Sequence, residues 1–240
     1  MLRQHNDVTH NPPADWATRG VIIAWLVALA GSWVVLARYE RNVNQPLRAG
    51  LAEHWPSQTA LARSTDQFTL VFFLHPKCPC SRASLWELGK VFDELGRSSE
   101  RTPELIVVAT VPENADDGWT ETNTIREAQK LPNARLFVDR GGIEAARFGA
   151  NTSGFVMLFN ESSDRVYAGG ITVARAHEGA NAGRDALTQI LQGRRASAPE
   201  NPAFGCRLCL PEQALPPVAA TFANPPGSTI ASARNDRYSD

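Results

Sequence analysis

Residues 67–80 read QFTLVFFLHPKCPC, and no other stretch constrains the fold of this chain as strongly. Leu70-Val71-Phe72-Phe73-Leu74 is continuously apolar and built from strong β-formers, which marks a strand buried on both faces. Strands of that kind lie inside α/β sheets with helices on either side. Pro76 ends the strand. From Ser81 the apolar spacing becomes helical, with Leu85, Leu88, Phe92 and Leu95 in one stripe and Trp86 and Val91 widening it. Ser84 and Glu87 have capping-box spacing. Pro79 equally suits the first position of a helix that starts next to Cys78.

Cys78 and Cys80 therefore fall between a buried strand and a helix start. Free backbone N–H groups and the helix dipole at such a place favour negative charge. A thiol there ionises more readily, and the thiolate is the nucleophile of disulfide exchange. Lys77 and His75 add positive potential. A Cys-Pro-Cys disulfide closes a small strained ring, and strain makes a disulfide more oxidising. The same residues support a metal reading: Cys78 and Cys80 with His75, or with Cys206 and Cys209, offer ligands for copper or zinc. In a third reading the pair is structural, but its place ahead of a helix rather than within an apolar stripe speaks against that.

Four cysteines in 240 residues are far too few for a disulfide scaffold. The second pair, Cys206 and Cys209, stands in FGCRLCL, an apolar island in a proline-rich stretch that otherwise reads as an extended or disordered tail. A free tail has no reason to keep Phe204, Leu208 and Leu210 beside two cysteines. The island is expected to dock near Cys78 and Cys80 and to supply resolving or partner thiols.

Between these sites the patterning predicts strands over 105–111, 134–139, 155–159 and 165–168, the last two joined as a hairpin by the polar turn 160–164. Helices are expected over 121–130 and 142–148, with a final amphipathic one around Ala186, Leu187, Ile190 and Leu191. Residues 38–66 read as a polar, helical connector broken by Pro46 and Pro56. Residues 174–184, ARAHEGANAGR, either form a solvated loop leading into the last helix or bring His177 to the sulfurs as a base or ligand. Arg82 either steadies a thiolate or faces solvent, and Asp116-Asp117 reads as surface loop.

Residues 21–37, VIIAWLVALAGSWVVLA, carry no charge over 17 positions, the lower limit for spanning a bilayer. Arg19 and Arg38 bracket the run, and Trp16, Trp25 and Trp33 provide interfacial anchors. A single-pass membrane anchor is expected. A cleaved signal peptide ending at Val35-Leu36-Ala37 and a buried core helix are the alternatives, although a core helix should show a polar face. The paired cysteines favour a periplasmic domain, against a slight excess of arginine on the C-terminal side of the run. The expected organisation is a polar leader over 1–20, a membrane helix over 21–37, a connector over 38–62, an α/β domain over 63–195 and a tail over 196–240. With 24 basic and 25 acidic residues and no basic block, the chain is not expected to bind nucleic acid.

The unit LVFFLHPKCPCSRASLWELGKVF, residues 70–92, resembles the strand–cysteine–helix unit of the thioredoxin-like superfamily. FGANTSGFVMLFNESSDRVYAGGI, residues 148–171, resembles its later strand–turn–strand, with Phe148-Gly149, Asn151-Thr152-Ser153 and Gly169-Gly170 in the order found in membrane-anchored relatives. The HPKCPC stretch is similar to proteins labelled RedB-like. The resemblance covers roughly residues 60–195. It implies a thioredoxin-like central sheet flanked by helices and redox-active cysteines at 78 and 80.

Two departures stand out. The family spacing is Cys-X-X-Cys, and Ser153-Gly154 occupies the place of a cis-proline that faces the cysteines. Gly154 is expected to leave the site open, which strengthens the metal reading. The peroxiredoxin pattern is not met, because no threonine precedes Cys78 at the needed distance. The expected function is a membrane-anchored thiol–disulfide oxidoreductase acting on a protein partner through Cys78 and Cys80. His75, Lys77, Ser153, Gly154 and His177 are the expected supporting residues. The alternative is a copper- or zinc-binding metallochaperone without turnover, and a third possibility is a structural domain that only binds a membrane partner.

Overall fold

The structure is a computed structural model that describes residues 16–41, 43, 50–96, 102–196 and 198–214. The polar leader before Trp16, Pro46, and the chain after Ala214 lie outside the described residues. Helix α1 spans Trp16–Glu40, 25 residues, or about 37 Å at 1.5 Å per residue. That exceeds the roughly 30 Å of a hydrocarbon core. None of its residues is buried against the rest of the chain, so it is not a core helix, and it is long and apolar enough to cross a membrane.

The globular part alternates strands and helices: β1 Thr69–Leu74, α2 Pro79–Gly96, β2 Glu104–Val111, α3 Asn123–Ala128, β3 Ala134–Arg140 and α4 Ile143–Phe148. It continues with β4 Phe155–Phe159, β5 Arg165–Gly170, α5 Ala182–Leu191 and the two-residue β6 Glu200–Asn201. The sheet order is β3-β2-β1-β4-β5-β6. β1, β2 and β3 run parallel, β4 is antiparallel to β1 and to β5, and β6 runs parallel to β5. β1 lies in the middle, fully buried at all six positions, as its continuous apolar run requires.

Alternation along β1 divides the core. Leu70, Phe72 and Leu74 face α2, α3 and α5 together with Leu88, Ile125 and Leu187. Val71 and Phe73 face the other way, toward Phe148 of α4 and Leu61, Ala203 and Leu208. Residues 50–66 are irregular rather than helical. The reason is in their contacts. Trp55 packs edge-on to Phe148 and Phe159 at 5.2 and 5.1 Å between centroids, and Leu61 is buried in the same cluster. Glu144 of α4 then accepts the hydroxyl of Thr59 and the N–H of Ala60. A helix would not put these groups on one face of the sheet in so few residues.

The chain after α5 also returns to the body. Ala168 donates its N–H to the Pro199 carbonyl at 3.0 Å, β6 extends the sheet, and Ala203 and Leu208 enter the second core cluster.

Candidate functional site

β1 ends at Leu74, and α2 begins at Pro79, so the earlier of the two helix starts is the one formed. Ser84 is not its cap: the Ser84 hydroxyl donates to the Cys80 carbonyl at 3.3 Å within the helix. Glu87, the expected capping partner, is fully buried instead. It accepts Lys90 Nζ and the Gly179 N–H at 2.8 Å each and Arg184 Nη1 at 2.7 Å, tying α2 to α5.

The β1–α2 turn is held from below by Ser153. Its hydroxyl accepts the His75 N–H at 2.8 Å and lies 2.6 Å from the Ser81 hydroxyl, which also reaches the His75 carbonyl at 3.1 Å. Gly154 donates its N–H to the Phe73 carbonyl at 2.8 Å. Its φ is +91°, and a Cβ there would lie 2.4 Å from Ser84 Oγ, so glycine is required. No cis peptide occurs among the described residues.

Gly154 does not leave the site open. The island around Cys206 covers it. Ser153 donates its N–H to the Cys206 carbonyl at 2.8 Å, Leu208 donates to the Asn151 carbonyl at 3.0 Å, and Thr152 and Arg207 form an antiparallel bridge between them. A proline at position 153 would have no N–H for the first of these bonds. Gly205 lies so close that a Cβ would approach the Ser153 carbonyl to 2.0 Å, and Arg175 Nη1 donates to the Gly205 carbonyl.

This arrangement brings three thiols together. Cys78 Sγ and Cys206 Sγ are 2.8 Å apart, and the sulfurs of Cys78, Cys80 and Cys206 all lie within 4.8 Å of one another. Cys78 and Cys80 are 2% and 5% exposed, while Cys206 is partly exposed. The Cys80 thiol donates to Cys78, and this bond, more than any other contact, holds the Cys78 thiol well below its ordinary pKa. A further hydrogen bond from Cys206 acts in the same direction, against burial. Cys80, as donor to Cys78 and then through burial, is raised. Burial raises Cys206 to about 11.

The remaining expected residues are placed differently. His75 is partly buried, and its pKa is lowered by burial; its Nδ1 accepts the Lys77 N–H at 3.2 Å, and its ring meets Trp119 edge-on at 5.3 Å. Cys206, not His75, completes the three-ligand group. Lys77 Nζ sits 4.0 Å over the Trp119 ring. His177 is exposed, with Nδ1 at 2.7 Å from the Arg175 carbonyl. From its loop, the Ala176 N–H serves Cys80, a backbone contact with no signal in the side-chain sequence. Asn181 caps α5 through the Arg184 N–H. Cys209 stands apart from the cluster; its carbonyl occupies the space where a Cβ on Gly142 would be, 1.8 Å away, and burial raises its thiol pKa. Arg82 is exposed.

The sequence matches no protein-family model and no curated protein. The structure is similar to a hypothetical protein, SMc02350, from Sinorhizobium meliloti 1021, at a TM-score of 0.51 and 16% identity over 70% of this chain and 100% of that one. An uncharacterized conserved protein from Geobacillus kaustophilus aligns at 0.46 and 18% identity over 60% of this chain and 77% of that one. A SCO1/SenC family lipoprotein from Bacillus anthracis str. Ames aligns at 0.41 and 6% identity over 54% and 82%. Likeness at these identities is a likeness of fold. A parallel β1-α2-β2 unit, an antiparallel β4-β5 pair packed beside β1, and α5 on the α2 side define the fold as thioredoxin-like, with a cysteine cluster at the head of α2. One apolar N-terminal helix fits membrane anchoring.

Proposed function

We propose that this chain is a membrane-anchored thiol–disulfide oxidoreductase with Cys78 as its nucleophile. The observation that carries the reading is the environment of Cys78: a buried thiol at a helix head with the Cys206 sulfur 2.8 Å away and the sulfur of Cys80, in its own Cys-Pro-Cys pair, within 4.8 Å. An anionic sulfur with neighbouring thiols has both things that exchange needs, an attacking thiolate and a sulfur to resolve the mixed disulfide. A protein disulfide or dithiol on the periplasmic face of the membrane is the partner this reading assigns, with α1 holding the domain at the bilayer. The test is the rate at which Cys78 in the purified full-length protein is alkylated as a function of pH, together with reduction of a protein disulfide by wild type and Cys78→Ser. Retention of alkylation well below pH 8.5 (the rough value for a free thiol), and loss of turnover in Cys78→Ser, are expected. A free-cysteine profile at Cys78 would remove the reading.

A second reading has its own observation. Three sulfurs within 4.8 Å form a soft donor set of the kind that selects copper(I), and zinc would need a fourth ligand. Stoichiometric metal in the protein as isolated, with no disulfide turnover, would favour it.

A further inference from the structure

On the thiol–disulfide reading, we propose that the exchanging disulfide of this site is Cys78–Cys206, and that external thiols enter it at Cys206 with Cys78 as the leaving group. Cys80 then stays a thiol throughout.

Geometry supports the pairing. The Cys78 and Cys206 sulfurs are 2.8 Å apart, and closing to a bond of about 2.05 Å needs only a small motion. Cys206 is also held in register. It lies on a stretch paired antiparallel with residues 151–153, with a backbone hydrogen bond at Cys206 itself and another at Leu208. Gly205 fits against the Ser153 carbonyl with no room for a side chain, and Arg175 fixes the Gly205 carbonyl. Cys80 has other contacts: the Ala176 N–H and the Cys78 sulfur to which it donates.

Access decides the point of entry. Exchange depends on which sulfur an incoming thiolate can reach. Cys78 and Cys80 are 2% and 5% exposed, whereas Cys206 is partly exposed on the covering segment. An external thiolate therefore attacks Cys206 Sγ. A bond forms between the partner sulfur and Cys206, the Cys206–Cys78 bond breaks, and its electron pair remains on Cys78 as a thiolate that accepts the Cys80 S–H. A second thiol of the partner, deprotonated, then attacks the partner sulfur of the mixed disulfide and releases Cys206 as a thiolate, which takes up a proton. The partner dithiol becomes a disulfide, the Cys78–Cys206 disulfide is reduced, and two electrons pass. In the reverse sequence Cys206, once deprotonated, takes one sulfur of the partner disulfide, and the Cys78 thiolate is the nucleophile of the step that follows: it attacks Cys206 Sγ, forms the Cys78–Cys206 bond and releases the partner as a dithiol. The partner is thus a protein dithiol or disulfide that meets the covering segment rather than the head of α2.

The experiment uses the full-length protein in detergent and glutathione as the external thiol. After mild oxidation with diamide, peptide mapping is expected to find Cys78 joined to Cys206. A brief pulse of glutathione, stopped with acid, is expected to leave glutathione on Cys206 and Cys78 free. Starting from the reduced protein, Cys206→Ser is expected to react with oxidised glutathione about tenfold or more slowly at the cluster, since Cys78 and Cys80 are buried. A Cys78–Cys80 bond, glutathione trapped on Cys78 or Cys80, or an unchanged rate in Cys206→Ser would overturn the inference while leaving the oxidoreductase reading intact. If no disulfide forms among the four cysteines and Cys78 alkylates like a free thiol, the oxidoreductase reading falls first and takes the inference with it.

Discussion

Replacing Gly205 with alanine separates the covering segment from the sheet without touching a sulfur. A Cβ at that position would lie 2.0 Å from the Ser153 carbonyl oxygen and 3.0 Å from its carbon, where real Cβ atoms essentially never come within 3.0 Å of a neighbour. The obstacle is backbone, so the segment itself must retreat by about 1 Å to restore an allowed contact. A 1 Å retreat stretches the Ser153 N–H to Cys206 carbonyl bond from 2.8 Å to about 3.8 Å, outside hydrogen-bonding range. Overpacking of this kind costs about 2 kcal/mol, which is roughly 30-fold in the ratio of docked to undocked segment. Two assays read it: the yield of the Cys78–Cys206 cross-link under mild oxidation, and the alkylation rate of Cys80, whose buried sulfur lies within 4.8 Å of Cys206 on the docked segment. In Gly205→Ala the cross-link yield should fall and Cys80 alkylation should rise. A wild-type cross-link yield in Gly205→Ala would refute the docked geometry.

Further outcomes follow from the same contacts. Because the Cys80 thiol is the largest contributor to the lowered pKa of Cys78, Cys80→Ala should move the Cys78 ionisation up toward the free value of about 8.5. In wild type the Cys78 alkylation rate should therefore be nearly flat across neutral pH, and in Cys80→Ala it should fall steeply as pH drops. Glu87→Gln should cost about 3 kcal/mol in chemical denaturation, since it leaves Lys90 and Arg184 facing a buried neutral group. Burial pushes the Glu87 pKa up, but hydrogen bonds from Lys90, Gly179 and Arg184 outweigh it and hold it below the ordinary value. Its contribution is therefore complete above about pH 4.3 and fades as pH falls through the lowered value, so Glu87→Gln should show a weaker loss of stability in acid. The full-length chain should stay with membranes through alkaline carbonate extraction, and a chain beginning near residue 45 should be soluble; full-length protein in the soluble fraction with residues 1–37 intact would contradict anchoring by α1.

Much of the fold could be read in the sequence because its central signals are local. A five-residue apolar run followed by a helical stripe leaves few options for Leu70–Leu95, and the β4–β5 hairpin announces itself through two short strands about a polar turn. The docking of the segment 204–210 beside Cys78 was also legible, as an apolar island with no purpose in a free tail, but not that Cys206 rather than Cys209 would be the cysteine brought near. What was not legible depends on long-range contacts. Nothing near Trp55 or Leu61 signals that residues 50–61 line a sheet face, because their partners, Phe148, Phe159 and Glu144, lie about a hundred residues away. Gly154 read as an opening because the sequence shows a missing side chain and not the Cys206 segment that fills the space. Glu87 had the spacing of a cap, but its charge is matched by Arg184 of α5. The contact of the Ala176 N–H with Cys80 is made by backbone, to which residue identity contributes nothing.

The most direct test of a redox role is an equilibrium titration of the full-length protein against glutathione buffers, with every cysteine's oxidation state counted by alkylation and mass. A single two-electron couple that includes Cys78, with Cys209 remaining a thiol, is the expected result. Four thiols that stay reduced across the whole range, or a cluster that alkylates only after a metal is stripped from it, would contradict thiol–disulfide exchange as the work of this site.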